Sequence, residues 1–185
     1  ADTPKPMLKV GNKPLLHTIV NKFEECGYTN FIMCLNYKHK LIQDYFGDGT
    51  KFGVKIDYTI EEERMGTAGA LSLLKSKLNE PFFVMNADLL TNLDFEKMLD
   101  FHTKHNSIAT MGIKKYVINS PYGEVNLVNE NISSINEKPK HKFFANAGIY
   151  ILNPECIDLV PKKFYDMTSL FKKIISKKKK TISFP

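Results

Sequence analysis

The sequence predicts an α/β fold in which a mainly parallel sheet is flanked by helices. Stretches with a helical apolar period alternate with short, wholly apolar runs that suit buried strands. A hairpin pattern in the second half adds an antiparallel excursion. The 185 residues fit one domain of ordinary size, and no internal repeat or low-complexity linker divides them. We therefore expect a single domain over residues 1–185.

The first half of the chain supplies two helices and two strands. A helix is predicted between Pro14 and Gly27, because apolar residues recur there at helical spacing. The apolar run 31–35 predicts a strand, and the apolar stripe of 41–46 predicts a second helix. Residues 54–60 alternate between apolar and polar side chains, which indicates another strand.

The second half continues the alternation. Gly66 is predicted to open a helix that carries leucines as far as Leu78. The later predicted elements are a buried strand at 82–85, a helix at 95–102, a strand at 108–113, a hairpin at 124–135, a long strand at 143–152 and an amphipathic helix at 166–178.

The positive charge is concentrated near the C-terminal end. The chain has 26 lysines and arginines against 20 aspartates and glutamates, a formal net charge of +6. Residues 162–185 hold eight lysines and one aspartate, so the remainder is nearly neutral. The lysine run 177–180 is typical of a solvated helix end, with contact to phosphates or a membrane surface as the alternative. Because no stripe of stacking aromatics accompanies the lysines, we expect no nucleic-acid partner.

Apolar runs and cysteines indicate the cellular setting. The apolar runs are far shorter than the ~18–20 residues that cross a bilayer, so no membrane partner is expected, and the first residues lack the order of a signal peptide. Cys26, Cys34 and Cys156 are widely spaced, which argues against disulfides or a zinc site. We expect free thiols in a reducing cytoplasm.

Asp88 is the first candidate functional residue. It follows the predicted strand 82–85, which places its carboxylate at the carboxyl end of the sheet, where open α/β sheets bind ligands. Mg²⁺ takes oxygen donors and usually keeps one or two protein carboxylates beside waters and phosphates. Asp88 is thus a candidate magnesium ligand, with helix capping as the alternative role.

Small residues and lysines supply further candidates. The segment 66–70 can bring backbone N–H groups close to a nucleotide, with a tight helix start as the alternative. It contains neither the dinucleotide fingerprint nor the Walker motif. Lys5 and Lys13 each precede a proline, and Glu137 to Pro139 form a charged turn. Singly, such residues are surface charges by default.

These pieces occur together in one enzyme family. The matching segments, in order, are Lys5–Val10 with Lys13 and Pro14, Gly47–Gly49, Glu61–Leu71, Asn86–Asp88, Tyr122 with Gly123, Glu137–Pro139 and Asn146–Gly148. The sequence resembles sugar-1-phosphate nucleotidyltransferases over nearly its whole length, and especially the mannose-1-phosphate guanylyltransferase-like branch. The resemblance implies a Rossmann-like fold and formation of a nucleotide sugar and pyrophosphate from a nucleoside triphosphate and a sugar-1-phosphate.

The resemblance also implies residue roles. Asp88 would hold Mg²⁺ between the nucleotide α-phosphate and the sugar phosphate, Lys5 would neutralise nucleotide phosphates, and Lys138 would face the sugar phosphate. These three are the implied catalytic residues. The implied nucleotide-binding residues are Lys5, Glu61, Gly66, Thr67, Ala68 and Gly69. The implied sugar-binding residues are Tyr122, Gly123, Glu137, Asn146 and Gly148.

Base choice follows from hydrogen-bond chemistry at Glu61. A carboxylate only accepts hydrogen bonds, and guanine offers adjacent donors, so GTP is favoured, with Glu62 and Glu63 as alternative contacts. Mannose-1-phosphate is the usual substrate of the branch, and amino sugars and heptoses are alternatives. Assembly into an oligomer is compatible with these residues.

Two features of the family are not in this sequence. One is a glycine-rich loop ending in Thr-Arg, normally before the position of Asp2, and the other is a second metal-binding aspartate after the position of Pro185. We therefore expect the domain to be incomplete at both ends and inactive alone, with neighbouring strand edges exposed where the first strand is absent. The alternative is a non-catalytic regulatory or assembly module of the same fold, against which Lys5, Asp88 and Lys138 together argue.

Overall fold

The computed structural model describes residues 3–185 and has an α/β architecture, as the sequence predicts. Its α-helices are α1 (Leu15–Glu25), α2 (His39–Phe46), α3 (Phe95–Lys104) and α4 (Met167–Ser176). Its strands are β1 (Lys9–Val10), β2 (Lys13–Pro14), β3 (Asn30–Leu35), β4 (Lys55–Ile60), β5 (Phe82–Met85), β6 (Ala109–Asn119), β7 (Glu124–Val128), β8 (Asn131–Asn136), β9 (Lys140–Leu152) and β10 (Thr181–Phe184). Short 3-10 helices occupy Lys5–Met7, Thr50–Phe52, Gly69–Leu74 and Pro154–Leu159.

Most predicted elements form where the apolar pattern places them. The differences lie in the helix after Gly66, in the bounds of β6 and β9, and in the unpredicted short strands β1, β2 and β10. The helix expected after Gly66 is a 3-10 segment, Gly69–Leu74, which does not extend to Leu78. β6 and β9 run several residues beyond their predicted bounds, because they pair with each other as an exposed ribbon whose residues show no burial pattern. β10 was not predicted, since a four-residue strand after a lysine run carries little apolar signal.

The strands form a mixed sheet system. A four-stranded sheet has the order β10-β6-β9-β5, in which β10 is parallel to β6 and β9 is antiparallel to both of its neighbours. β3 and β4 form a separate parallel pair, and β7 and β8 form the predicted hairpin. The sequence predicts a mainly parallel sheet, but antiparallel pairing is more extensive than predicted. The reason is that the long strand β9 is antiparallel to both β5 and β6.

A gap separates β3 from β5. Each of these strands is paired along one edge only within the described residues, β3 with β4 and β5 with β9. The ring of Phe23 on α1 lies 6.0 Å from that of Phe31 and 5.4 Å from that of Phe83, the second residues of β3 and β5. The two strands therefore begin at the same level beneath α1.

The gap encloses a cavity of about 650 Å³, which we call the strand slot. The edges of β3 and β5 form its sides, apolar residues of α1 cover one face, and Leu71 and Leu74 line it as well. Because they line this cavity, several strand residues are only half-buried, namely Phe31, Ile32, Cys34 and the residues of β5. The facing edges of β3 and β5 therefore carry backbone groups with no strand partner among residues 3–185. That a further strand pairs with them stays a prediction.

The lysine run is built into the fold. Lys177 follows the last turn of α4, where positive charge opposes the negative end of the helix dipole. Lys179 lies 3.3 Å from the Glu155 carboxylate, and β10 begins at Thr181.

Within residues 3–185, no helix has the length and apolarity needed to span a membrane.

Candidate functional site

The carboxyl ends of β3 and β5 meet at one end of the strand slot. Asn36 follows β3, Ala87 follows β5, and both line the cavity together with Glu61 and Thr67. These residues come from distant parts of the sequence, and the sheet brings them to one edge. This is the edge at which open α/β sheets bind ligands.

Asp88 lies in the turn just after β5 and is exposed. Its carboxylate makes no hydrogen bond or ion pair within the part of the chain that is described. The capping alternative is wrong, because α3 begins with Asp94 as its cap, whose carboxylate accepts the N–H of Lys97 at 3.0 Å. The Asp88 carboxylate is therefore exposed near the carboxyl edge of the sheet, and it stabilises no other part of the described chain through a hydrogen bond or ion pair.

Asn146 and Gly148 on β9 lie beside the Asp88 turn. The N–H of Asn86 donates to the carbonyl of Gly148 at 3.0 Å, and the N–H of Gly148 donates to Oδ1 of Asn146 at 2.9 Å. Nδ2 of Asn146 donates to the Tyr150 hydroxyl at 2.7 Å, and burial raises the pKa of Tyr150. This network fixes the Asn146 amide next to the turn that carries Asp88.

Glu61 is held in place at the end of β4. Its N–H donates to the carbonyl of Leu35 at 2.7 Å, and its Oε2 accepts the N–H of Met65 at 3.0 Å. One carboxylate oxygen therefore organises the following loop, and the other remains to accept a hydrogen bond from a ligand. Glu62 and Glu63 are exposed and do not line the slot, so of the three glutamates Glu61 is the one that faces the candidate site.

The loop Met65–Gly69, which we call the 65–69 loop, uses its backbone donors inside the protein. The N–H groups of Ala68 and Gly69 donate to the carbonyl of Tyr165 at 2.9 and 3.0 Å, and that of Thr67 donates to Asp166 Oδ1 at 3.3 Å. These donors are not available to a phosphate. Ala68 and Gly69 are also buried, so of the implied nucleotide-binding residues in this loop only Gly66 and Thr67 line the strand slot, and we expect the loop to contact a ligand through these two.

Lys5 and Lys13 are exposed, in keeping with a charge that meets a ligand from solvent. Lys5 opens the short 3-10 helix at the start of the described chain, and the flanking residues Pro4 and Pro6 line the strand slot. Lys5 itself is not among the lining residues, so the structure places it next to the slot and not in it. Lys13 lies in β2, outside the lining of the slot.

Four implied sugar-site residues cluster at the base of the β7–β8 hairpin. A Cβ atom on Gly123 would lie 2.9 Å from Glu137 Oε2, so these two residues are in contact. Tyr122 is 75% exposed, and Lys138 adopts a left-handed φ of 44° that is uncommon for lysine. This cluster precedes β9, whose first residue, Lys140, is separated from Asn146 by about 20 Å along the strand.

Sequence reasoning missed Tyr165 and Asp166, which hold the 65–69 loop. Both precede α4, about 100 residues further along the chain, so no local pattern links them to the loop. The unusual density of glycine in 66–69 is the one signal that could have shown that another segment packs there closely.

Comparison with known proteins gives the family. The family model described as nucleotidyl transferase matches residues 1–184. The chain belongs to the nucleotidyl transferase family. This confirms the resemblance drawn from the sequence.

Relatives of this nucleotidyl transferase chain are about twice its length. Probable mannose-1-phosphate guanylyltransferase 1 of Oryza sativa subsp. japonica is 35% identical over 171 residues, which cover 86% of this chain and 47% of that protein. Mannose-1-phosphate guanyltransferase of Saccharomyces cerevisiae is 35% identical over 170 residues, with the same coverage of 86% and 47%. The chain thus spans about half the length of the curated relatives it matches.

Solved structures show the same fold. HddC from Yersinia pseudotuberculosis superposes with a TM-score of 0.73 at 26% identity, over 100% of this chain and 81% of that one. A structure of HddC complexed with GMP-PN gives a TM-score of 0.72 at 25% identity and the same coverage of 100% and 81%. The Rossmann-like α/β class expected from the sequence is confirmed.

The donors of this nucleotidyl transferase chain fit a magnesium ion that is shared with phosphates. Asp88 offers an exposed carboxylate with no partner within residues 3–185. The described residues contain no group of three His, Cys, Asp or Glu side chains placed as a cage for a metal ion. An ion at Asp88 would therefore take most of its ligands from phosphates and water, which is the usual arrangement for Mg²⁺.

Proposed function

We propose that the protein containing this chain transfers a nucleotidyl group from a nucleoside triphosphate to a sugar-1-phosphate, releasing pyrophosphate. Two placements support this proposal most strongly: Glu61 lines the strand slot after β4, and Asp88 and Asn146 lie beside the end of β5, whose following residues Asn86 and Ala87 line the same slot. The family match and the names of the curated relatives support it independently.

The reaction requires two polyanions to be brought together. A phosphate oxygen of the sugar-1-phosphate attacks the α-phosphorus in line, the bond from that phosphorus to the bridging oxygen breaks, and pyrophosphate leaves with the electron pair. Because the nucleophile is already anionic, no strong general base is needed, and positioning with electrostatic stabilisation lowers the barrier. The site has no general-base arrangement among its described candidates, which suits this chemistry.

Each candidate residue has a task in this proposal. Asp88 holds Mg²⁺, which when bound neutralises charge on the α-phosphate and the sugar phosphate. Lys5 opposes the charge of the nucleotide phosphates, and Lys138 approaches the sugar phosphate from the hairpin base.

Substrate choice divides between two groups of residues. The free oxygen of Glu61 accepts a hydrogen bond from the base, which favours GTP because guanine offers adjacent donors. Gly66 and Thr67 pack against the base, with the buried Ala68 and Gly69 supporting them from inside the protein. Tyr122, Gly123, Glu137, Asn146 and Gly148 bind the sugar. Mannose-1-phosphate is the first sugar to test, followed by amino sugar and heptose phosphates.

The activity belongs to the longer protein in this proposal. The chain spans about half the length of its curated relatives, and the strand slot is open at its centre. We expect residues 1–185 alone, an incomplete domain, to release no pyrophosphate.

Three unpaired thiols, Cys26, Cys34 and Cys156, support a reducing cytoplasmic setting.

The deciding experiment compares Asp88→Asn with wild type in the full-length protein. Pyrophosphate release and nucleotide-sugar formation are measured for four nucleoside triphosphates against a panel of sugar-1-phosphates. Wild type should turn over, with GTP preferred, and Asp88→Asn should lose about 100-fold or more of kcat. Asp100→Asn, on an exposed position of α3, is the matched control.

Two results would contradict the proposal. Undiminished turnover of Asp88→Asn would remove Asp88 from the chemistry. Absence of any nucleotide sugar across the whole panel would favour the non-catalytic module of the same fold.

A further inference from the structure

The 65–69 loop and the segment before α4 are joined by six hydrogen bonds. Three of the bonds join backbone groups and three involve the side chains of Thr67 or Asp166; together they tie Met65, Thr67, Ala68 and Gly69 to Tyr165, Asp166 and Met167. The N–H of Tyr165 donates to the carbonyl of Met65 at 2.9 Å, which closes the junction at its far side. Two segments about 100 residues apart in sequence therefore behave as one structural unit.

The first turn of α4 is capped from outside the helix. Asp166 occupies the cap position of α4, yet its carboxylate makes no capping bond to its own helix. Instead, the Thr67 hydroxyl accepts the N–H of Met167 at 2.8 Å and donates to Asp166 Oδ1 at 3.3 Å. Thr67 thus takes the place that a cap side chain normally fills, and Asp166 is left to hold Thr67.

Glycine at 66 and 69 is explained by this junction. A Cβ atom on Gly66, whose φ is +77°, would lie 2.8 Å from the Tyr165 carbonyl oxygen. A Cβ atom on Gly69 would lie 2.5 Å from the carbonyl oxygen of Lys163. Since backbone atoms cannot give way cheaply, a larger residue at either position would force the two segments apart.

We propose that Asp166 is a positioning residue for the nucleotide, acting through Thr67 on the 65–69 loop. The inference rests on the proposed function, because it assigns that loop to the base. With its backbone donors engaged and its glycines in contact with residues 163–166, the loop has its final shape before the nucleotide arrives. Binding then costs little ordering of the loop, which strengthens nucleotide affinity without a direct contact from Asp166.

The test measures nucleotide affinity rather than turnover. GTP binding in the presence of Mg²⁺ is measured by titration calorimetry on the full-length protein, and the KM values for GTP and the sugar-1-phosphate are measured separately. Asp166→Ala and Thr67→Val should each weaken GTP binding about tenfold and leave the KM for the sugar-1-phosphate unchanged. Asp166→Asn and Thr67→Ser retain the acceptor and the hydroxyl, so they should restore most of the affinity.

Two further measurements separate positioning from stability. Thr168→Val, at an exposed position of the first turn of α4, is the matched control and should bind GTP as wild type does. Hydrogen exchange at the amides of Thr67 and Ala68 should be faster in Asp166→Ala than in wild type while the core of α4 stays protected. If Asp166→Ala does not fold, the Thr67 pair gives the same comparison.

Each contrary result identifies which idea has failed. If wild type binds GTP and both Asp166→Ala and Thr67→Val bind it equally well, the positioning role is wrong and the proposed function stands. Equal weakening of GTP and sugar-1-phosphate binding also overturns the positioning role. If wild type binds none of the four nucleoside triphosphates, the proposed function fails and the inference fails with it.

Discussion

Gly148 on β9 lies against Asn86, the residue that follows β5, and the contact leaves no room for a side chain at position 148. A Cβ atom on Gly148 would be 2.9 Å from Asn86 Nδ2 and 2.7 Å from Leu89 Cδ1. The Asp88 turn lies between Asn86 and Leu89, so the position of the candidate metal ligand depends on the absence of a side chain on the neighbouring strand.

Gly148→Ala should therefore both destabilise the chain and displace Asp88. We expect a loss of about 1–3 kcal/mol in the free energy of unfolding, because the φ of +73° is unfavourable for alanine and the contact adds to it. Gly27→Ala is the matched control, since its φ is +80° and nothing lies within 4 Å of the added Cβ. Denaturant unfolding and kcat are measured together. Equal effects of the two substitutions would show that Gly148 matters only for backbone conformation.

Glu61→Gln should change base preference while keeping the loop. The glutamine carbonyl can still accept the N–H of Met65, but the other end of the side chain becomes a donor. We expect kcat/KM for GTP to fall by about 10- to 100-fold, with a smaller effect on UTP or dTTP. Glu62→Gln and Glu63→Gln should leave the ratio of kcat/KM for GTP to kcat/KM for UTP unchanged. A change of this ratio in either variant would assign the base contact to that glutamate instead of Glu61.

His17 should make the fold less stable in mild acid. Burial, followed by the charges of Lys13 and Lys51, lowers the pKa of His17 below its ordinary value of 6.5. The unfolded chain then binds a proton more readily than the folded one, so this contribution to stability is present above pH 6.5 and is lost as the pH falls through the lowered pKa. Denaturant unfolding of His17→Gln between pH 5 and 7 should show a flatter pH dependence, and His39→Gln, at a half-buried position of α2, is the control.

The strand slot should accept an extended apolar segment in a longer protein containing this chain. Such a segment would pair with β3 and β5, whose facing edges have no partner among residues 3–185. Hydrogen exchange should show stronger protection of β3 and β5 amides in the full-length protein than in residues 1–185, with β6 amides as the internal reference. Equal protection in the two proteins would mean that the slot stays open.

Local sequence patterns were sufficient to predict the helices and strands whose apolar residues recur at a regular spacing. α1 lies between Pro14 and Gly27 as predicted, and β5 has the predicted bounds. Position at the end of a buried strand was likewise enough to select Asp88. The helix expected after Gly66 failed, because residues 66–69 are shaped by contact with 163–166 and not by their own periodicity. Asp166 could not be found in this way, since its partner Thr67 is 99 residues distant.

The junction between Thr67 and Met167 also sets an order of events during synthesis. The loop that we assign to the nucleotide leaves the ribosome long before the segment that shapes it, because 100 residues separate the two partners. At about 5–20 residues per second, several seconds pass in which the loop has no partner. The proposed base contact would therefore be acquired late, and a pause or truncation before α4 would leave a polypeptide with most of its sheet residues made and the 65–69 loop without its partner.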